Sequence, residues 1–101
     1  MFRKIALQSE IGAGKVHGFE VEGEKIALYN LDGQVLATTD VCTHEECLLS
    51  EDGAIEGEEV ECTCHGSKFD IRTGQNTEPP AADPLRTSPV RAEGNDVLVD
   101  V

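Results

Sequence analysis

The residues best suited to chemistry stand in two short clusters, Cys42-Thr43-His44 and Cys62-Thr63-Cys64-His65, with residues 45 to 61 between His44 and Cys62. Each cluster offers a thiolate and an imidazole, a donor set that suits zinc or iron, since thiolates select zinc and iron–sulfur clusters and imidazoles serve both metals. Zinc sites built from two Cys and two His usually place the Cys together and then the His, whereas each pair here mixes the two types. A mixed-ligand iron–sulfur cluster is the other use of the same four donors. The chain has only three His. With His44 and His65 assigned to metal, His17 cannot by itself build the site of two His and one carboxylate that a non-haem oxygenase needs. Catalysis must therefore happen elsewhere, and neither a Ser–His triad setting nor a Gly-rich nucleotide loop points to another reaction.

Composition narrows the partners. Against 8 Lys and Arg stand 20 Asp and Glu, a formal charge of -12 over 101 residues, which repels phosphate backbones and excludes nucleic acid as a partner. The same charge favours fast encounter with a protein bearing a basic patch. Eight of the acids, Glu45, Glu46, Glu51, Asp52, Glu56, Glu58, Glu59 and Glu61, fall in one stretch without a Lys or Arg. No run approaches the length of a membrane span, and Met1-Phe2-Arg3-Lys4-Ile5 does not lead into a signal-peptide core, so the chain is read as cytoplasmic.

Short strands must hold the two clusters. Phe2 to Leu7, Val16 to Glu22, Lys25 to Leu31 and Gln34 to Thr39 show partial apolar alternation, broken by turn residues at Gly12 to Gly14, Gly23-Glu24 and Asp32-Gly33. Asp32-Gly33 has the chemistry of a two-residue hairpin turn with positive φ. A closing hairpin is expected from Ser88 to Glu93 and Asp96 to Val101, around Gly94-Asn95, with Val97, Val99 and Val101 on one face. Gln8 to Ile11 suits a single helical turn, and His17 reads as an ordinary strand residue. Between residues 40 and 72 alternation gives way to Cys, His, Gly and acids, as in loops that carry a site on a rigid scaffold. The expected fold class is all-β and antiparallel.

The C-x-H pair followed at this separation by C-x-x-H resembles the Rieske signature, in which two Cys hold one iron of a 2Fe-2S cluster and two His replace Cys on the other. The likeness continues through Gly53-Ala54-Ile55-Glu56-Gly57, Gly66-Ser67-Lys68-Phe69-Asp70 and Arg72-Thr73-Gly74, and covers nearly the whole chain. It implies a single domain over residues 1–101, with a basal Rieske-type β-sandwich of about 1–39 and 73–101 and an inserted cluster-binding subdomain of about 40–72. It also implies that Cys42 and Cys62 bind the inner iron, and that His44 and His65 bind the outer iron near the surface.

Further roles come from the same resemblance. Cys47 and Cys64 stand where Rieske subunits of cytochrome bc complexes carry a disulfide between their two cluster loops; two buried thiols are the alternative, and a reducing cytoplasm favours it. Ser67 matches a hydroxyl that donates to a bridging sulfide in those proteins, and backbone N–H groups from Gly66 and its neighbours are expected to do likewise. Phe69 stands where they have a Tyr, so one donor is missing, and a reduction potential between the two Rieske extremes is expected. Pro79-Pro80 and Pro84-Leu85 resemble the loop that covers the cluster, with Pro80 foremost. The short chain resembles the ferredoxin component of aromatic-ring-hydroxylating dioxygenase systems: a monomeric one-electron carrier, not itself an enzyme, between an NAD(P)H-dependent flavin reductase and a terminal oxygenase. A small Rieske-type subunit of a nitrite reductase or another oxidoreductase complex is the second reading.

Overall fold

A computed structural model describes residues 1–42, 47–64, 66–78 and 83–100. Among them run strands β1 (Phe2–Leu7), β2 (Val16–Val21), β3 (Glu24–Leu31) and β4 (Gln34–Thr39), then the one-turn helix α1 (Leu49–Asp52). Strands β5 (Gly53–Glu56), β6 (Glu59–Cys62), β7 (Ser67–Asp70), β8 (Asn76–Glu78), β9 (Thr87–Ser88), β10 (Val90–Glu93) and β11 (Asp96–Asp100) follow. Every pairing is antiparallel, in three sheets ordered β1-β11-β10, β2-β3-β4-β9 and β5-β6-β7-β8. The expected all-β antiparallel class is what the chain adopts, and Gln8–Glu10 forms the expected single turn, as a 3-10 helix.

β3 organises the packing. Ile26, Ala27, Leu28 and Tyr29 are all buried, a continuous apolar run that belongs to a strand covered on both faces. Because successive side chains point to opposite faces, Ala27, Tyr29 and Leu31 enter one core and Ile26 and Leu28 another. The first core also holds Cys42, Leu49, Val60, Cys62, Phe69, Ile71 and Leu85; the second holds Ala6, Ile11, Ala37, Val97 and Val99.

The β3–β4 turn is Asp32-Gly33 as expected, with φ of 52 and 89. The β2–β3 turn sits one residue earlier than expected, at Glu22-Gly23, because the positive φ falls on that pair. A larger correction concerns Ser88 to Glu93. Pro89 has no N–H to give a ladder, and the chain changes sheets there: Ser88 pairs with Ala37 in one sheet, Val90 with Val99 in another. Of the closing strand, Val101 lies outside the described residues.

The stretch 40–72 is more regular than its composition implies. Glu59-Val60-Glu61-Cys62 and Ser67-Lys68-Phe69-Asp70 alternate, with Val60, Cys62, Ser67 and Phe69 buried. Val60 faces Phe69 and Cys62 faces Ser67 across the β6–β7 ladder, while Glu61 and Lys68 form an opposite-charge pair on the outer face. These strands, with β5 and β8 on either side, are the platform that carries the second cysteine cluster.

Candidate metal centre

Cys42 follows β4. Val41 and Leu48 form an antiparallel bridge, and the Cys42 N–H donates to the Cys47 carbonyl at 2.9 Å, so the strand end returns on itself within a few residues. Cys62 ends β6, and Gly66 (φ 80) turns the chain back into β7 while donating its N–H to the Cys62 carbonyl at 2.8 Å. That N–H shapes the loop. Ser67 is fully buried opposite Cys62, and Phe69 is fully buried two residues beyond it.

The two loops are joined twice. Cys47 and Cys64 form a disulfide with their Cα atoms 6.7 Å apart. Cys42 and Cys62 stay outside the bridge and are both buried. The sulfurs of Cys47, Cys62 and Cys64 lie within 4.8 Å of one another, so the bridge passes directly beside a buried cysteine of the pair.

The second connection runs through α1. Asp40 is buried, accepts the Ser50 N–H on Oδ1 at 2.7 Å and the Ser50 hydroxyl on Oδ2 at 2.6 Å, and its carbonyl takes the Leu49 N–H at 2.7 Å. At the other end, the Asp52 carbonyl accepts both the N–H of Thr63 at 2.8 Å and its hydroxyl at 2.6 Å. Burial pushes the Asp40 carboxyl above its ordinary range, while the Ser50 hydrogen bonds draw it back down. The sequence reading missed Asp40, Ser50 and Thr63. Their partners are distant in sequence or carry no motif, and an acid two residues before a metal-type Cys is the signal the sequence offers.

Electrostatics differ from a bare acidic stretch. Lys68 reaches Glu56 at 3.4 Å, and Arg72 pairs with Glu58 and also donates to Gln34 at 2.7 Å. Cations beyond residue 61 thus answer acids within the stretch. His17 lies in β2, where its Nε2 accepts the Gly12 N–H at 3.1 Å, the structural role expected of it. Of the expected site residues, His44, His65 and Pro80 lie outside the described ones, as do Glu45, Glu46 and Pro79.

Two buried sulfur donors, one from each loop, with the loops cross-linked beside them, fit the thiolate end of a mixed Cys and His iron–sulfur centre. A family model, Rieske [2Fe-2S] domain, matches residues 2–89. The chain belongs to the Rieske family. As a member of that family it takes a Rieske 2Fe-2S cluster. Over 99 residues it is 43% identical to a biphenyl dioxygenase ferredoxin subunit of Pseudomonas sp. strain KKS102, covering 98% of this chain and 91% of that one. The Rieske fold is likewise shared with the ferredoxin of carbazole 1,9a-dioxygenase from Nocardioides aromaticivorans IC177, at a TM-score of 0.91 and 30% identity over 98% of this chain and 96% of that one. A second similar structure is a ferredoxin in a complex of reduced oxygenase and oxidised ferredoxin of carbazole 1,9a-dioxygenase, with a TM-score of 0.89 and 31% identity, covering 97% of this chain and all of that one. Among the described residues of this Rieske protein, no helix is long and apolar enough to cross a membrane.

Proposed function

We propose that this Rieske protein is the electron-carrying ferredoxin component of a ring-hydroxylating dioxygenase system, taking electrons from an NAD(P)H-dependent flavin reductase and delivering them to a terminal oxygenase. The observation that carries this reading is that one domain of the same length, matched end to end, serves as the ferredoxin of such systems, and that one structural neighbour is solved together with its oxygenase. When bound, the cluster supplies one reversible electron.

The chain supplies the setting. In this reading Cys42 and Cys62 hold the buried iron and His44 and His65 the outer one. Neutral imidazoles bring less negative charge than thiolates, which raises the potential above that of all-Cys ferredoxins. Ser67 offers its hydroxyl to a sulfide from the wall opposite Cys62, Gly66 shapes the loop, and Pro80 belongs to the segment that keeps water out. Residues 40–72 act as a cluster-binding unit inserted in a basal sandwich of about 1–39 and 73–101. The protein works as a cytoplasmic monomer, and its net charge of -12 steers it toward basic faces on its partners.

Stopped-flow mixing of the dithionite-reduced protein with an oxidised terminal oxygenase tests this. Second-order reoxidation that slows as salt rises, together with oxygenase turnover that depends on the added chain, is the expected result. Turnover that proceeds equally well without the chain would overturn it.

A further inference from the structure

The single turn α1 lies between the two cysteine loops and is fastened at both ends by residues next to the cysteines. Four residues are too few for a helix to persist unaided, because the first turn costs more backbone freedom than its bonds return. Its N-cap, Leu48, makes no side-chain cap. The first-turn N–H of Ser50, which a cap would ordinarily satisfy, is instead taken by Asp40 from the end of the preceding strand. At the far end, the Asp52 carbonyl is taken twice by Thr63. Asp40 is two residues before Cys42 and Thr63 is the residue after Cys62.

Two other contacts fix the turn sideways. Leu49 is fully buried in the same core as Cys42 and Cys62. On the opposite side β2 presses against Ser50 through Gly18, where a Cβ would collide with the Ser50 hydroxyl and stand 2.9 Å from Asp40 Oδ2. A side chain at position 18 would force the Asp40–Ser50 contact apart.

We propose that α1 is a strut that sets the separation of Cys42 and Cys62, with Asp40 and Thr63 as the positioning residues at its two ends. This rests on the reading that those two cysteines hold the cluster. The hydrogen bonds at its ends involve residues one or two positions from the cysteines, so loosening either end moves a sulfur relative to its partner. The groups that orient metal ligands help determine the electronic properties of a centre.

Cluster-loaded wild type is compared with Asp40→Asn, Ser50→Ala, Thr63→Val and the double variant Asp40→Asn/Thr63→Val, with Val99→Ala in the distant core as a control for general destabilisation. The readouts are the reduction potential, the g-values of the reduced protein by electron paramagnetic resonance, and the rate at which the visible absorbance is lost at fixed temperature. Each strut variant is expected to shift the potential and g-values and to hasten cluster loss by about tenfold, the scale set by one hydrogen bond to a charged or buried group. The double variant should change little beyond the more severe single one, because a strut released at one end no longer transmits force. Val99→Ala should lower thermal stability and leave the spectrum and potential as they are. If Asp40→Asn fails to fold, Ser50→Ala and Thr63→Val, each removing one hydroxyl, carry the test.

Strut variants that match Val99→Ala, or end effects that simply add, overturn the proposal. Cys42→Ala separates the two ideas. A full cluster in that variant overturns the ligand reading and the strut with it. Loss of the cluster in Cys42→Ala, beside unchanged spectra in the strut variants, overturns the strut alone.

Discussion

The two faces of β3 look into cores of different character. On one side Ile26 and Leu28 meet Ala6, Ile11, Ala37, Val97 and Val99, a core whose buried members are all aliphatic, with Phe19 packed at its margin. On the other, Ala27, Tyr29 and Leu31 meet two cysteines, Phe69 and Leu49, and the Tyr29 hydroxyl is paired at 2.8 Å with Thr38. The aliphatic side needs only volume and close packing, which many apolar combinations satisfy. The sulfur-bearing side must also position donors, and for that it uses a disulfide, a remote helix cap and buried hydrogen bonds. Stability and chemistry are thus divided between the odd and even positions of a single strand.

Substitutions that unsettle one face and spare the other test this division. The largest effect is expected from Phe69→Ala, which removes one of the largest buried side chains from the core that holds Cys62: a loss of about 3–5 kcal/mol in denaturant unfolding, with iron content falling in parallel. Next comes the bridge. Opening Cys47–Cys64 with reductant, or replacing both with Ser, should cost about 3 kcal/mol for a loop spanning 17 residues, and proteolysis of the opened protein should begin in that loop. Val97→Ala, on the aliphatic face, should cost about 2 kcal/mol while the iron stoichiometry stays that of wild type. Equal iron loss in Val97→Ala and Phe69→Ala would erase the distinction between the cores.

Smaller effects sharpen it. Tyr29→Phe removes a buried hydroxyl and should cost about 1 kcal/mol near neutral pH. Desolvation pushes the Tyr29 phenol well above its ordinary 10.0, so the folded protein keeps that proton while the unfolded chain gives it up. Wild-type stability should therefore be undiminished by this group below pH 10.0 and decline above it, and Tyr29→Phe should lack that alkaline decline in urea titrations. Smallest of all, Arg86→Ala breaks an exposed pair with Glu24 and should leave Tm unchanged within error.

Much of this was legible from residue order because it is local. Asp32-Gly33 declares its turn through the φ it tolerates, and the Cys–His spacing declares a metal centre before any fold is known. What escaped is what only the fold brings together. The alternation in Glu59 to Cys62 and Ser67 to Asp70 was present, but it was read as loop composition because Cys, Ser and acids occupy positions usually held by aliphatic residues. Pro89 reads as a residue in a strand, and only the two ladders on either side reveal a change of sheet. Asp40 and Ser50 are ten residues apart, and nothing in either type announces that one caps the helix of the other. Lys68 and Arg72 stand beyond the acidic stretch they partly neutralise, so counting charge along the chain overstated its local excess.

The outer strands carry a consequence for crowding. Among the described residues, the strands at the edges of the three sheets are short, from the two residues of β9 to the six of β1 and β2, and several are charged, including Glu20 of β2, Glu56 of β5, Glu78 of β8 and Glu93 of β10. An open strand edge is a template on which another copy can grow, and short acidic edges deny it both length and attraction. With a net charge of -12, copies of this protein meet as mutually repelling particles, which lowers self-association at any given concentration.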